Sequence, residues 1–296
     1  MRITQSMISR NLLSTVTKNR ERASELELDL ATTRRIRRPS DDPSAVVQIE
    51  RLNTTISKNE QYLKNITQIS AFMSNSMTAL DTMTDHLEEA KNIALQGSSD
   101  TMSPEARQSL ASTVDQLINN LVDLGNTRYK NRYVFGGTQT TDPPFSRTGD
   151  TITYSGNDGG VVGKIGFQSS VTYNKSGTEV FNPAGGTDVF QALIDLKQSL
   201  ENNVTADINT VIGTLDDALS QVITDSSELG ALQNRLSLTE EMIANENINF
   251  ASALSKTQDT DVAEAIVNHN ALEYAMTASL RTMSEAIQTS LVDFVG

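Results

Sequence analysis

The segment 259–296 carries the most regular apolar pattern in the chain. Large apolar residues recur there in steps of 4, 4, 3, 4, 4 and 3, so that 22 residues take six steps, at Leu272, Met276, Leu280, Met283, Ile287, Leu291 and Phe294. This spacing, about 3.67 residues per step, predicts a helix with a straight or slightly right-handed packing seam. The residues between these positions are mostly small or hydroxylic. We therefore expect other helices to surround this one.

The N-terminal segment has an apolar stripe of the same pitch. Its positions also span 22 residues in six steps, at Ile8, Leu12, Val16, Asn19, Ala23, Leu26 and Leu30. Residues 1–42 contain nine Lys and Arg against six Asp and Glu, whereas residues 255–296 contain two against six. Matched stripes with opposite net charge predict that the two terminal helices pair. The alternative is two independent amphipathic helices that each pack on the body of the protein.

We expect the paired terminal helices to form an assembly interface between subunits. A helix with a thin apolar stripe and hydroxylic flanks is weakly stabilised by itself, so we expect disorder in the monomer and order when neighbouring chains surround it. The predicted interface residues are Ile3, Met7, Ile8, Leu12, Val16, Leu272, Met276, Leu280, Met283, Ile287, Leu291 and Phe294.

A break between two helices follows at residues 34–44. Each proline disfavours helix at the residue before it, which predicts an elbow formed by Arg38, Pro39, Ser40, Asp41, Asp42 and Pro43. Ser40 or Asp41 is the expected cap of the next helix, with Pro43 in its first turn. Four arginines in five positions are compatible with nucleic-acid binding. The adjacent aspartates and the acidity of the chain favour a solvated or intersubunit salt-bridge elbow instead.

Three long helical patterns make up the middle of the chain. Residues 45–96 follow a heptad seam, softened by polar residues at about one position in three. Ser103 and Pro104 start a second, antiparallel helix. Helical patterning resumes at Thr187 and continues to Phe250. Together these segments predict a long antiparallel helical bundle or coiled coil.

A change of composition separates the second and third of these patterns. Eleven of the sixteen glycines and three of the six prolines lie between Gly136 and Gly186. Residues 151–155 and 161–173 are typical of short strands, and Asn157–Gly160 supplies residues that tolerate positive φ in a turn between them. The predicted fold class is therefore mainly α, with paired terminal helices and a small inserted β domain.

Composition and charge exclude several classes of function. The net charge of −13 argues against nucleic-acid binding, because proteins that bind phosphate backbones carry basic surfaces. No window approaches 18 apolar residues, which argues against a membrane span, and the start of the sequence, residues 1–10, lacks the apolar core that a cleaved secretory signal needs. The absence of cysteine excludes disulfides and thiolate metal sites. Composition alone predicts a soluble cytosolic protein.

The chain offers no convincing catalytic or metal-binding group. His86 and His269 are the only histidines, and their neighbours suggest a solvent-facing residue and polar packing respectively. The segment 160–165 is only loosely similar to a phosphate-binding loop, because Ile165 stands where a magnesium-binding Ser or Thr is required. We expect no enzyme activity, no metal and no cofactor.

Several short motifs span nearly the whole chain in a characteristic order: Met1–Met7, Arg38–Pro43, Asn131–Thr138, Ile152–Gly159, Ser227–Leu236 and Ser290–Phe294. By their order and position, these segments resemble the bacterial hook–filament junction proteins (hook-associated protein 3), which are relatives of flagellin.

The resemblance implies three regions. Residues 1–42 with 255–296 would form an inner assembly layer, residues 43–135 with 187–254 a helical bundle, and residues 136–186 an outward β domain. It also implies export of the unfolded chain by the flagellar type III apparatus without a cleaved signal, so that the expected location becomes the extracellular flagellum.

The resemblance also implies a set of partners. These are a ring of like subunits, hook-associated protein 1 on the hook side, flagellin on the filament side, and a cytosolic export chaperone at the C-terminal helix. Neither a nucleic acid nor a membrane is expected as a partner. Two alternatives stay open: a filament-forming flagellin, or a cytosolic coiled-coil adaptor. An enzyme that uses the β domain as a binding platform is a weaker one.

Overall fold

The chain is mainly helical over the part that its structure, a computed structural model, describes. That part is residues 5–295, with the side chains of residue 7 and residues 10–284. The helices are α1 (Gln5–Thr32), α2 (Pro43–Gly97), α3 (Pro104–Gly125), α4 (Gly177–Phe181), α5 (Val189–Glu201), α6 (Thr205–Gln258) and α7 (Val262–Val295). The strands are β1 (Arg128–Tyr129), β2 (Arg132–Tyr133), β3 (Phe145–Thr148), β4 (Thr151–Tyr154), β5 (Val162–Lys164) and β6 (Ser170–Thr172). The predicted fold class is confirmed.

The chain divides into two compact units. The first unit comprises Met1–Ser57 and Glu246–Gly296, and the second comprises Lys58–Asn245. The first unit therefore contains both terminal helices and the elbow. The second contains the greater part of α2 and α6, together with α3, α5 and the strands.

In the second unit, α2 and α6 run antiparallel to each other. Polar contacts pair Ser70 with Gln233, Asp81 with Ser226 and Lys91 with Asp216. Along the bundle, the residue numbers of α2 therefore increase in the direction in which those of α6 decrease. The heptad pattern of α2 is visible in its burial, because every seventh residue is fully buried in the sequence Ile66, Met73, Leu80, Leu87 and Ala94. Helix α3 packs against α5 and completes the bundle.

A buried arginine joins two loops of the second unit. The Arg107 guanidinium donates to the carbonyl oxygens of Gly97 and Ser99, at 2.8 Å each. It also donates to the side chains of Asn203 and Thr205. The loop between α2 and α3 is therefore fixed to the loop between α5 and α6 by one cation.

The strands form three separate antiparallel hairpins: β1 with β2, β3 with β4, and β5 with β6. The predicted pairing of residues 151–155 with residues 161–173 is wrong. Each run belongs to its own hairpin, and the turn of the first contains Gly149 at φ +62°. The Asn157 side chain instead accepts hydrogen bonds from the backbone N–H groups of Thr138 and Gly159, at 2.8 and 3.1 Å. Its segment is a loop held against residues 136–138.

An aromatic cluster anchors the β segment to the bundle. Phe181 stacks on Phe190 of α5 with ring centroids 4.8 Å apart, and Phe145 of β3 lies against both rings. All three are buried. The short helix α4 carries Phe181, and a capping box at Ser176 and Glu179 fixes the start of that helix. The sequence pattern gave no indication of α4, because five residues are too few to show a helical period.

Candidate assembly site

The first unit brings the two terminal helices together. Helix α1 packs against α7, and the stripe residues Leu12, Val16, Leu272, Met276 and Met283 are half-buried while most of their neighbours are exposed. Ala265 of α7 is buried at 4% exposure. The predicted pairing of the terminal helices is therefore confirmed as part of the fold.

Two of the predicted interface residues are largely exposed within a single chain. Met7 is 52% exposed and Leu280 is 48% exposed. Ile3 and the side chains of Ile8, Ile287, Leu291 and Phe294 lie outside the described residues. The role of the whole set in assembly stays a prediction.

The helix pair exposes further apolar residues that the stripe did not include. They are Leu13, Leu28, Val262, Ile266, Val267 and Tyr274, with exposed fractions between 43% and 77%. A soluble monomer rarely leaves so many large apolar side chains uncovered along two adjoining helices. Ile266 and Val267 lie outside the stripe of apolar residues spaced three and four apart. Apolar residues on more than one face of the helix were the sequence signal that could have indicated this wider apolar surface.

His269 contributes a polar contact between the two helices. Its Nε2 lies 3.3 Å from Oε1 of Glu27 on α1. This agrees with the polar packing expected of His269. His86 lies on α2 in the second unit, and its Nδ1 is 3.9 Å from Oε2 of Glu89. Its side chain is only partly exposed, whereas the sequence predicted a solvent-facing residue.

The two connectors that lead into the helix pair are bonded to each other. The backbone N–H groups of Arg35 and Ile36 donate to the carbonyl oxygen of Gln258, at 2.8 and 3.3 Å. The Thr260 N–H donates to the carbonyl oxygen of Thr33 at 3.1 Å. Sequence reasoning missed this antiparallel pairing, which we term the connector clamp (residues 33–36 and 257–260), because backbone hydrogen bonds between distant segments leave no residue signature.

The side chains of the elbow are used locally. Asp41 accepts hydrogen bonds from the N–H groups of Arg38 and Arg37, at 2.8 and 3.0 Å, and these bonds lower the pKa of its carboxyl group. Asp42 accepts from the N–H groups of Ala45 and Ser44, which also lower its pKa. Asp42 is therefore the cap of α2. The expectation of Ser40 or Asp41 in that role is wrong, because the helix begins at Pro43, directly after Asp42.

An arginine next to the elbow forms an ion pair within the chain, whereas the solvated or intersubunit salt bridges expected of the elbow stay a prediction. Arg37 Nη2 lies 2.9 Å from Oδ1 of Asp29, near the end of α1. Ile36 beside it is 4% exposed. Together, the ion pair and the buried isoleucine fix the direction in which α1 leaves the elbow.

The described residues of this unit also line an open hollow along α1, formed by Arg10, Leu13, Ser14, Thr17, Lys18 and Glu21. Among the residues that the structure describes, no group of three His, Asp or Glu side chains is placed to hold a metal ion. No helix in the described part of the chain is long and apolar enough to cross a bilayer. The exposed apolar residues of the α1–α7 pair point to helix association.

Comparison with known proteins identifies the family. Residues 3–140 match the bacterial flagellin N-terminal helical region, and residues 212–295 match the bacterial flagellin C-terminal helical region. These matches contain both terminal helices and both halves of the connector clamp.

Two relatives illustrate the range of the similarity. The flagellar hook-associated protein 3 of Salmonella typhimurium is 24% identical, with 98% of each chain covered. The flagellin of Bacillus subtilis is also 24% identical, with 98% of this chain and 99% of that protein covered.

Solved structures show the same fold. A putative flagellar hook-associated protein from Vibrio parahaemolyticus matches 74% of this chain and 100% of its own, with a TM-score of 0.69 and 20% identity. Hook-associated protein-3 from Legionella pneumophila matches 70% of this chain and 98% of its own, with a TM-score of 0.64 and 16% identity. The chain belongs to the flagellin superfamily and is a structural protein of the bacterial flagellum.

Proposed function

We propose that this protein forms the junction between the hook and the filament and polymerises through its terminal helices. The observation that carries the proposal is the apolar surface of the α1–α7 pair, where Val267 and Tyr274 are 67% and 77% exposed in the single chain. Burial of apolar area is the main driving force of association, so neighbouring subunits would cover this surface.

The position at the junction is supported by the relatives. Proteins named flagellar hook-associated protein 3 in Salmonella typhimurium and Escherichia coli align over 98% of this chain and 98% of their own. In this proposal the protein forms a ring of like subunits. One end of the ring contacts hook-associated protein 1, and the other contacts the first flagellin subunits.

The division of labour follows from the same proposal. The terminal regions 1–42 and 255–296 form the inner layer, the bundle of residues 43–135 and 187–254 the middle layer, and residues 136–186 the outer part. Export proceeds with the chain unfolded through the flagellar type III apparatus, and a cytosolic chaperone covers the C-terminal helix before export. The exposed apolar residues of α7 are the reason a chaperone is needed, since they would otherwise associate in the cytosol.

Deletion of the gene in its own host tests the junction role. We expect intact hooks without filaments, and flagellin released as monomer into the medium. Re-expression of the full chain restores filaments. Unchanged filaments and swimming, in a host with no second copy, would contradict the proposal and favour a cytosolic coiled-coil adaptor.

A second candidate is the filament subunit itself. It is favoured by one observation, the 24% identity to the Bacillus subtilis flagellin over 98% of this chain. If this candidate is right, the deletion removes the main protein of the filament and no other flagellin appears in the medium. The same experiment therefore separates the two.

A further inference from the structure

An open groove with a volume of about 540 Å³ lies in the second unit, between α2 and the hairpins β1–β2 and β5–β6. Its floor is aromatic. Phe72 lies edge-on to Tyr129 and Tyr173, with ring centroids 6.0 and 5.2 Å apart. Ring edges of this kind make favourable contacts with apolar side chains and with the thioether sulfur of methionine.

The rim of the groove is cationic. Three exposed basic side chains line it, those of Lys130, Arg132 and Lys164, and none of the lining residues in the described part of the chain is acidic. The protein as a whole has a net charge of −13. The groove is therefore a local exception that attracts an anionic partner, whereas most of the surface repels one.

The same unit carries a surface of matching chemistry on α6. Leu238 and Met242 are 69% and 56% exposed. Glu241 and Met242 follow Leu238 by three and four residues, which places both beside it on one side of the helix. We term this the acidic face (Leu238, Glu241 and Met242). Residues 235–249 contain three glutamates and one basic residue, Arg235, so that this stretch of α6 carries a net negative charge.

The groove and the acidic face lie at the same level of the bundle. Gln233 of α6 bonds to Ser70 of α2. Because the two helices are antiparallel, Leu238 and the groove residue Asn65 are each five residues beyond that contact, in the same direction along the bundle.

The acidic face also points away from the core. Leu236 is fully buried, and Leu238, two residues later, is turned about 200° around the helix axis. The groove, in contrast, is formed by α2 and the hairpins packed on it. The groove and the acidic face are two different surfaces at one level of the bundle, so the groove of one copy can contact the acidic face of a copy beside it. Such a contact is head-to-tail, and it closes into a ring when the rotation between neighbouring copies allows it.

We propose that the groove of one copy receives the acidic face of the next copy in the ring. Met242 and Leu238 lie on the aromatic floor, and the Glu241 carboxylate lies at the rim among the three cations. This inference rests on the proposed function, because it names the lateral contact of the subunit ring.

Cross-linking in isolated flagella tests the contact. The protein contains no cysteine, so the full chain with Lys164→Cys and Glu241→Cys is expressed in the deletion host and treated with a short bis-maleimide. We expect a ladder of multimers from the double variant, and at most monomer from either single variant. The matched control pairs Lys164→Cys with Ile223→Cys, a residue of α6 that is 45% exposed and lies 18 positions away. It should give no ladder.

A charge exchange provides the second arm of the test. Glu241→Lys places a positive charge against the cationic rim. We expect the number of subunits retained in isolated flagella to fall on the order of tenfold. Adding Lys164→Glu to the same chain should restore most of that loss. This arm still decides the question if the cysteine variants are not incorporated.

The outcomes separate this inference from the proposed function. The double-cysteine variant can be present at the junction and give no ladder, or the exchanged charges can fail to restore the subunits lost in Glu241→Lys. Either result would overturn the lateral contact and leave the junction role intact. A cross-linked dimer from Lys164→Cys alone would overturn the head-to-tail arrangement, because it requires two grooves to face each other. A ladder in subunits distributed along the whole filament would support the contact and contradict the junction role.

Discussion

The carbonyl oxygen of Gln258 accepts a hydrogen bond from the backbone N–H of Arg35 at 2.8 Å. The two residues are more than 220 positions apart, yet each lies where a terminal helix joins the rest of the chain. Their bond, with that between Thr260 and Thr33, joins the start of one terminal helix to the end of the other. The terminal helices are therefore paired twice, by side chains along their length and by backbone at their base.

Removing the Arg35 donor should loosen this base. In Arg35→Pro the N–H is lost, and a typical net hydrogen-bond contribution of about 1 kcal/mol corresponds to about fivefold faster exchange at nearby amides. Hydrogen exchange at Ile36 and Thr260 measures it. Arg35→Ala is the control, because it keeps the N–H and loses the guanidinium, with its bond to the Thr257 carbonyl, as the proline variant also does. Equal exchange in the two variants would show that the connector clamp is not a stabilising contact.

Leu280 is the described residue at which assembly and folding should separate most cleanly. Because its side chain is 48% exposed in the single chain, Leu280→Asp should leave the second unit folded and abolish assembly, since a charge would be buried between subunits. Leu280→Met, which nearly conserves volume, should assemble normally. Thermal unfolding of the purified monomers and counts of filaments measure the two properties. Normal filaments in Leu280→Asp would remove this residue from the interface.

Arg107 should be important for the stability of the second unit. Arg107→Met fills a similar volume but leaves the carbonyl oxygen of the buried Gly97 without its side-chain donor, whereas the Ser99 carbonyl still accepts from the Met102 N–H. We expect the free energy of unfolding to fall by about 2 kcal/mol, since one buried polar group left unpaired costs about 1–3 kcal/mol. Urea unfolding measures it, with Gln108→Met at the exposed neighbouring position as control. A loss no greater than that of the control would contradict the assigned role.

Two aspartates of the second unit should respond to pH in opposite directions. The hydrogen bond from Arg147, with a further one from Lys197, lowers the pKa of Asp115 below its ordinary value of 3.8. Asp115 therefore contributes stability that is present above pH 3.8 and is lost as the pH falls through its folded pKa. Burial raises the pKa of Asp225 above 3.8, although Lys175 partly offsets the shift. Its contribution is present below pH 3.8 and is lost as the pH rises through its folded pKa.

Urea unfolding between about pH 3 and pH 7 distinguishes the two residues. The stability of the natural chain relative to Asp115→Asn should grow as the pH rises, and its stability relative to Asp225→Asn should shrink. Slopes of the same sign for the two variants would contradict this assignment.

Periodic features were accessible from the sequence. The heptad spacing that buries Ile66, Met73 and Leu80 and the 3–4 stripes of the terminal helices specify long helices through local repetition of apolar side chains. Opposite net charges at the two ends added the pairing of α1 with α7. Ser103 was also predictable as a cap, because the Ser-Pro-Glu sequence places an acceptor, a proline and an acid in the order that a helix start favours.

Features that depend on distant partners were not accessible. The connector clamp uses backbone groups, which every residue possesses. Asn157 is of a residue type that is common in turns. Its side chain instead accepts a hydrogen bond from the N–H of Thr138, nineteen positions away, and no local rule indicates that partner. Asp41 and Asp42 are neighbours of the same residue type, and only Asp42 caps α2. A sequence pattern locates a helix end to within one or two residues, so it does not distinguish the two.

The location of the protein along the flagellum tests the central claim most directly. Gln168, an exposed residue of the β5–β6 turn, can be replaced in Gln168→Cys and labelled with a maleimide-linked gold particle on isolated flagella. The natural chain, which has no cysteine, serves as the background control. A junction protein predicts gold in a single narrow band between hook and filament. Gold along the whole filament would contradict that claim and make the protein a flagellin.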